Sequence, residues 1–388
     1  MWSLALVALP YFALELLITL NLPAPCRVFA CFIVSGLVAI SMALVRTGNG
    51  YLDYLLGSSL FTCGVDGIFL LLANPLHSFR SEKDTIPAYE LPFLQRFVWV
   101  VCMCHCPRGV GWSFKVNHVP PASTRSRASF VTWWLLRAVV QYTIFEAALV
   151  YSRYNPPFTS SATIVAQPYV MRCISVIAFV ARTYAGVNCL YFIAAAITVA
   201  AGLYEPRSWP DVFGRWRDAY TVRRFWGRTW HQLLRRFLGG IGNATTRAIG
   251  VSPRSRCSLL LQVLIAFFIS GLVHVAGDVM LDMSRAGASF RFFLLQPIAI
   301  IAEESVISVA SFVGIRKSLL TRLVGYAWVF IWLSICAPPW LDVLVDITMQ
   351  AQDNTGASSA KKAAVLEMVV RWAGGDIELL MSSWFANA

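Results

Sequence analysis

The chain alternates long apolar blocks with short polar breaks. The blocks cover residues 2–20, 28–45, 54–73, 130–150, 169–204, 259–276, 290–313 and 326–337. Most approach the ~20 residues that an α-helix needs to cross a bilayer. A helix in lipid satisfies its own backbone polar groups, so blocks of this length predict helices rather than strands. The first block holds Glu15 and lacks both a basic leader and a small-residue cleavage pattern, which predicts a retained span rather than a cleaved signal peptide. The expected fold class is all-α: a polytopic membrane helical bundle of eight or nine helices, most of them crossing.

Some stretches depart from that length. The apolar piece at 92–103 is too short to cross comfortably and suits an interfacial or re-entrant segment. The block at 169–204, roughly 36 residues, suits one strongly tilted helix or two short ones. Residues 350–362 are small and polar, and 363–372 with 377–385 read as weak amphipathic pieces or one imperfect final span. The organisation expected is one membrane domain over 1–388, with a basic connection at 205–256 and a weakly defined tail at 350–388. No strong internal repeat occurs, which weighs against a transporter built from duplicated halves.

Charge refines the topology. The chain is 57% hydrophobic and 13% charged, about half the charged share of a soluble domain. Its formal charge of +12 is concentrated between the apolar blocks, so the positive-inside rule accounts for it without nucleic acid. The 205–256 connection carries eleven arginines against Glu205, Asp211 and Asp218, which puts it on the cytosolic side. If 130–150 and the long block each cross once, the basic loop at 108–127 shares that side, favouring a single tilted helix. The ten cysteines lie mainly in or beside apolar spans, unlike a secreted disulfide framework. Cys102, Cys104, His105 and Cys106 lack the spacing of zinc knuckles and read as interface thiols. Asp66, inside a span, needs a partner or a polar cavity, through structural pairing or substrate contact.

Two of the five histidines stand where chemistry is expected. His274 sits late in an apolar helix, with Ser270 one turn earlier and Gly271 and Gly277 beside it. The glycines open room for a neighbouring helix or a ligand. A neutral histidine at that depth can act as a general base or hold helices together through a hydrogen bond. His231 lies next to Trp230 and an arginine cluster, and a helix would gather Arg224, Arg228 and Gln232 along one side. Such a surface suits the phosphates of an acyl carrier or an anchor at the membrane surface. The loop at 107–120, with Gly109 and Gly111 around Val110, suits an interfacial turn. No phosphate loop, dinucleotide fingerprint or nucleophile elbow is present. Glu303 and Glu304, placed after an expected helix break at Gln296-Pro297, have no nearby histidine pair with which to form a metal motif.

Three segments then resemble the wax synthase-like branch of the membrane-bound O-acyltransferase superfamily, specifically its fungal terpenoid and meroterpenoid O-acetyltransferases. They are Arg108-Gly109-Val110-Gly111-Trp112, the stretch from Arg224-Phe225-Trp226-Gly227-Arg228 to Trp230-His231, and Ser270-Gly271-Leu272-Val273-His274. The latter two are specific in order and spacing, and the first is supportive. The resemblance implies that His274 is the catalytic histidine and that His231 fills a second polar position, asparagine in many relatives. It implies a helix bundle around a reaction tunnel, acetyl-CoA as donor substrate and no tightly bound cofactor or metal. Arg224, Trp226, Arg228, Trp230 and Gln232 would contact the donor. The alcohol acceptor would arrive through the bilayer of a multi-pass protein of the endoplasmic reticulum. Direct transfer is implied, without an acyl-enzyme.

One tension follows from a linear drawing of the spans. Counted from residue 259, His274 lies about 22 Å along its helix, whereas His231 falls in the cytosolic connection. They share a chamber only if that connection folds into the bundle or the cavity is deep. Wax-ester synthesis from fatty acyl-CoA and a long-chain alcohol is the alternative activity, and a non-enzymatic membrane protein or transporter is the alternative class.

Overall fold

A computed structural model describes residues 2–155, 157, 162–252 and 255–345. The tail at 350–388, with its amphipathic pieces, lies outside the described residues. The regular secondary structure of the described residues is helical, with one isolated β-bridge between Ser81 and Trp112. Helices α1 (Trp2–Thr19), α2 (Ala24–Leu44) and α3 (Gly50–Ala73) come first, then a short α4 (Pro75–Ser78) and α5 (Phe93–Cys104). Long helices α6 (Arg127–Tyr154) and α7 (Tyr169–Ala200) follow. After an irregular stretch come α8 (Val222–Arg224), a π-helical turn over Phe225–Thr229, and α9 (Arg235–Ala248). Helices α10 (Arg256–Leu281), α11 (Phe290–Phe312) and α12 (Leu319–Cys336) complete the bundle.

Six of these, α2, α3, α7, α10, α11 and α12, are long and apolar enough to cross a membrane. The protein is a multi-pass all-α membrane bundle. Helices α1 and α5 are apolar but shorter. The block at 169–204 forms one continuous helix, whose 32 residues make it about 48 Å long. It pairs lengthwise with α6, and α3 pairs with α10.

Buried charges are matched across helices. Asp66 of α3 accepts a hydrogen bond from Arg236 of α9, whose other nitrogen donates to the Met103 carbonyl at 2.8 Å. Asp66 is thus structurally paired. Glu15 of α1 meets His105 at 2.8 Å, so that histidine is engaged in helix packing. In the 107–120 loop, Gly109 and Gly111 have φ of +62° and +78°, conformations that favour glycine. The turn delivers the buried Arg108 to the carbonyl of Pro210 at 2.9 Å and to the Tyr191 hydroxyl. This loop therefore braces the basic connection.

The expected break at Gln296-Pro297 is absent: α11 runs unbroken through both residues. Proline removes one helical N–H, that which would bond the Phe293 carbonyl, and the fully buried Gln296 side chain donates to the Phe292 carbonyl beside it at 2.8 Å. Its amide oxygen also accepts from the indoles of Trp226 at 3.1 Å and Trp332 at 3.2 Å. Helix, side chain and the connection are tied at one amide.

Candidate active site

Close helix contact builds the site. A side chain at Gly277 would meet the Tyr54 ring at 2.7 Å and the Ser58 hydroxyl at 2.8 Å. One at Gly57 would meet the Ala276 carbonyl oxygen at 2.4 Å, so small residues on both partners set the α3–α10 approach. On the other side, a side chain at Gly271 would meet the Phe290 ring at 2.6 Å, which lets α11 close in. The two glycines flanking His274 thus admit two different neighbours.

His274 is held between them. Its Nδ1 lies 2.7 Å from the Tyr54 hydroxyl. Its ring stacks on Phe293 of α11, centroids 4.2 Å apart at 11°, and meets Trp340 edge-on at 5.7 Å. His274 is half-buried, and its Nε2 has no hydrogen-bond partner among the described residues. That nitrogen is left for a ligand.

The connection folds back onto this helix pair. Gly214 donates from its backbone to the Thr229 carbonyl at 2.8 Å, and a side chain there would strike the Arg228 carbonyl oxygen at 1.8 Å. Trp226, carried on the π-helical turn, packs edge-on against Phe267 of α10 and Phe292 of α11 at 5.9 and 6.1 Å. Trp230 packs on Phe225 and Trp226, beside His231. A chain of ring contacts, His231 to Trp230 to Trp226 to Phe293, links His231 to His274. The connection thus enters the bundle and reaches the aromatic wall beside His274.

His231 is half-buried, with Nδ1 buried and unpartnered among the described residues. Burial pushes its imidazole down to about 4, so it is neutral near physiological pH. A neutral imidazole offers one N–H donor and one acceptor.

The segment is anchored from α11. Glu303 accepts from the Val222 backbone at 2.6 Å and the Trp328 indole at 3.1 Å, while Glu304 pairs with Arg223. These carboxylates position the arginine- and tryptophan-rich turn. Among the described residues no group of three His, Cys, Asp or Glu side chains is arranged to hold a metal ion.

The expected single helix through Arg224, Arg228 and Gln232 does not form. The π-helical turn ends at Thr229 and Trp230 is extended, which rotates Gln232 away from the arginines. Gln232 is 2% exposed, donating to the Trp230 carbonyl at 2.9 Å and accepting from Arg235 at 2.6 Å. Arg224 and Arg228 instead line a surface cleft of about 380 Å³ with Arg217, Asp218, Tyr220 and Arg322. Trp226 and Trp230 belong to the aromatic wall inside. Sequence reasoning missed Tyr54, Phe293, Trp340 and Gln296, which lie far from His274 along the chain and carry no motif.

Comparison with known proteins bears on the same segment. The description "Membrane bound O-acyl transferase family" matches residues 209–295, which include both histidines. The chain is 33% identical over 314 residues to the acetyltransferase ple2 of Rhodocybe pseudopiperita, covering 78% of this chain and 81% of that protein. It is 28% identical over 329 residues to the acetyltransferase eriL of Hericium erinaceus, covering 81% and 85%. It is 27% identical over 318 residues to the O-mevalon transferase yanI of Aspergillus niger, covering 73% and 70%. No solved structure matches the chain.

Proposed function

We propose that this chain, which belongs to the membrane bound O-acyl transferase family, moves an acetyl group from acetyl-CoA to a hydroxyl of a terpenoid or meroterpenoid alcohol in fungal secondary metabolism. The observation that carries the reading is that His231 and His274, from separate parts of the family segment, border one continuous aromatic wall. The endoplasmic reticulum is the proposed membrane.

In this reading Nε2 of His274 takes the proton of the acceptor hydroxyl as its oxygen attacks the thioester carbonyl. The carbon–sulfur bond then breaks, and Nε2–H returns the proton to the departing thiolate. His231, neutral, turns its N–H toward the oxygen on which negative charge develops. A charged His231 would instead oppose the imidazolium formed at His274. Arg224 and Arg228 take the phosphates of the donor in their cleft. Trp226 and Trp230 wall the acyl path, and Gln232 supports that wall from behind.

The test is acyl transfer by microsomes holding equal amounts of the wild-type or His274→Ala protein. Labelled acetyl-CoA and then palmitoyl-CoA are supplied with terpenoid alcohols or simple fatty alcohols. The expected result is acetylated terpenoid from wild type and a loss of about 10²–10⁴-fold in the variant. Wax ester as product would replace the substrate assignment, and equal turnover by both proteins would remove His274 from the chemistry.

A further inference from the structure

Tyr54 is a tyrosine 6% exposed in the interior of a membrane helix, and its hydroxyl needs a partner there. Its oxygen lies 2.7 Å from Nδ1 of His274, as donor or acceptor according to the imidazole tautomer. The contact depends on unusually close backbones: Gly57 against the Ala276 carbonyl and Gly277 against the Tyr54 ring. Phe293, stacked on the imidazole, fixes the plane in which the remaining nitrogen points. Three elements therefore agree on one ring orientation.

We propose that Tyr54 is a positioning residue for His274, holding Nδ1 so that Nε2 is the nitrogen that exchanges protons with the substrates. This rests on the acyltransferase reading. A neutral imidazole carries one proton, so a basic Nε2 requires that proton on Nδ1. Nδ1–H then donates to the Tyr54 oxygen, whose lone pairs can accept it. When the acceptor hydroxyl gives its proton to Nε2, the new oxygen–carbon bond forms and the carbon–sulfur bond breaks. Nε2–H passes the proton to sulfur, and Nδ1–H stays on the phenol throughout. The balance is alcohol plus acetyl-CoA giving ester plus free CoA thiol. Without the phenol, the ring can settle with its proton on Nε2, where it cannot act as base.

The experiment compares wild type with Tyr54→Phe for kcat, for the KM of acetyl-CoA and of the alcohol, and for unfolding temperature in detergent. Hydrogen-bond partners that orient metal-ligating histidines are worth about 10–100-fold, and an orienting partner of a proton-transferring imidazole is expected to act on the same scale. The expected result is a kcat loss in that range, with both KM values within about 3-fold and little change in unfolding temperature. Retained kcat overturns the proposal. Should the phenylalanine variant fail to accumulate, fluorotyrosines placed at position 54 preserve shape while weakening the phenol oxygen as acceptor. A graded fall in kcat supports the proposal, and a flat series overturns it. Nitrogen-15 NMR of the imidazoles, assigned by a His274→Asn difference among the five histidines, reads the tautomer without turnover. A proton on Nδ1 of His274 that moves to Nε2 in Tyr54→Phe supports the positioning role even if wild type transfers no acetyl group. An unchanged tautomer overturns it.

Discussion

Tyr54 and Asp66 lie on one helix, α3, and their polar groups do different things. Asp66 meets the guanidinium of Arg236, with Glu15 and His105 forming a second pair at α1. Tyr54 meets an imidazole that keeps its other nitrogen open. At the Asp66 end, a carboxylate and a guanidinium cross-link helices and answer each other. At the Tyr54 end, neutral groups orient one another and leave a valence over. Buried polarity inside apolar helices thus has two uses, told apart by what each side chain meets: a guanidinium at Asp66 and an imidazole at Tyr54.

The comparison breaks most visibly at the charged end. Asp66→Ala strands the Arg236 charge, and removing one member of a buried pair typically costs about 3–5 kcal/mol. Thermal unfolding in detergent should show a large drop, mostly recovered when Asp66→Leu is combined with Arg236→Met. His274→Ala should shift unfolding far less while abolishing transfer. Equal destabilisation by the two single variants would erase the distinction.

A smaller effect is expected at the arginine cleft, which is open to solvent on one side. Arg224→Ala with Arg228→Ala should raise the KM for acetyl-CoA about 10-fold, equivalent to about 1.4 kcal/mol, and leave the KM for the alcohol unchanged. Michaelis curves for each substrate separate the two. A rise confined to the alcohol would move the donor away from the cleft.

The smallest effect concerns pH. Burial lowers His231 from 6.5 to about 4, so between those values the unfolded chain binds a proton that the folded chain refuses. The stability linked to neutral His231 is complete above about 6.5 and declines as pH falls toward about 4. The ceiling is about 1.4 kcal/mol per pH unit, and partial exposure of His231 reduces it to a few tenths. His231→Gln should flatten the acid limb of unfolding temperature against pH by that amount, and an unaltered limb would show that His231 protonates equally in both states.

Much of this architecture was legible because lipid imposes length and apolarity on a single segment at a time. Helices α2, α3, α10 and α11 follow from that constraint, and the unbroken α7 follows from charge placed on matching sides. Gly271 and Gly277 were readable as points of close approach, although the sequence did not say which helix came to which. Tyr54 and Trp340 were not legible, because their roles arise from packing between distant segments. The local spacing of Arg224, Arg228 and Gln232 misled for a related reason. A four-residue interval has meaning only while the helix lasts, and the turn at Thr229 ends it. Pro297 misled in the opposite direction, since a proline removes a single N–H and the rest of α11 continues through it.

Gln296 also sets a limit on how this protein can change. One amide bonds the Phe292 carbonyl and receives both Trp226 and Trp332. A substitution that reshapes the aromatic wall for a bulkier acyl chain would release an indole from that amide and loosen the helix that carries Phe293 to His274. On the proposed acetyl-transfer reading, the geometry around His274 and the donor size are therefore inherited together at this point. On the same reading, acceptor preference has a freer route through positions that do not touch Gln296, and would diversify sooner than the group transferred.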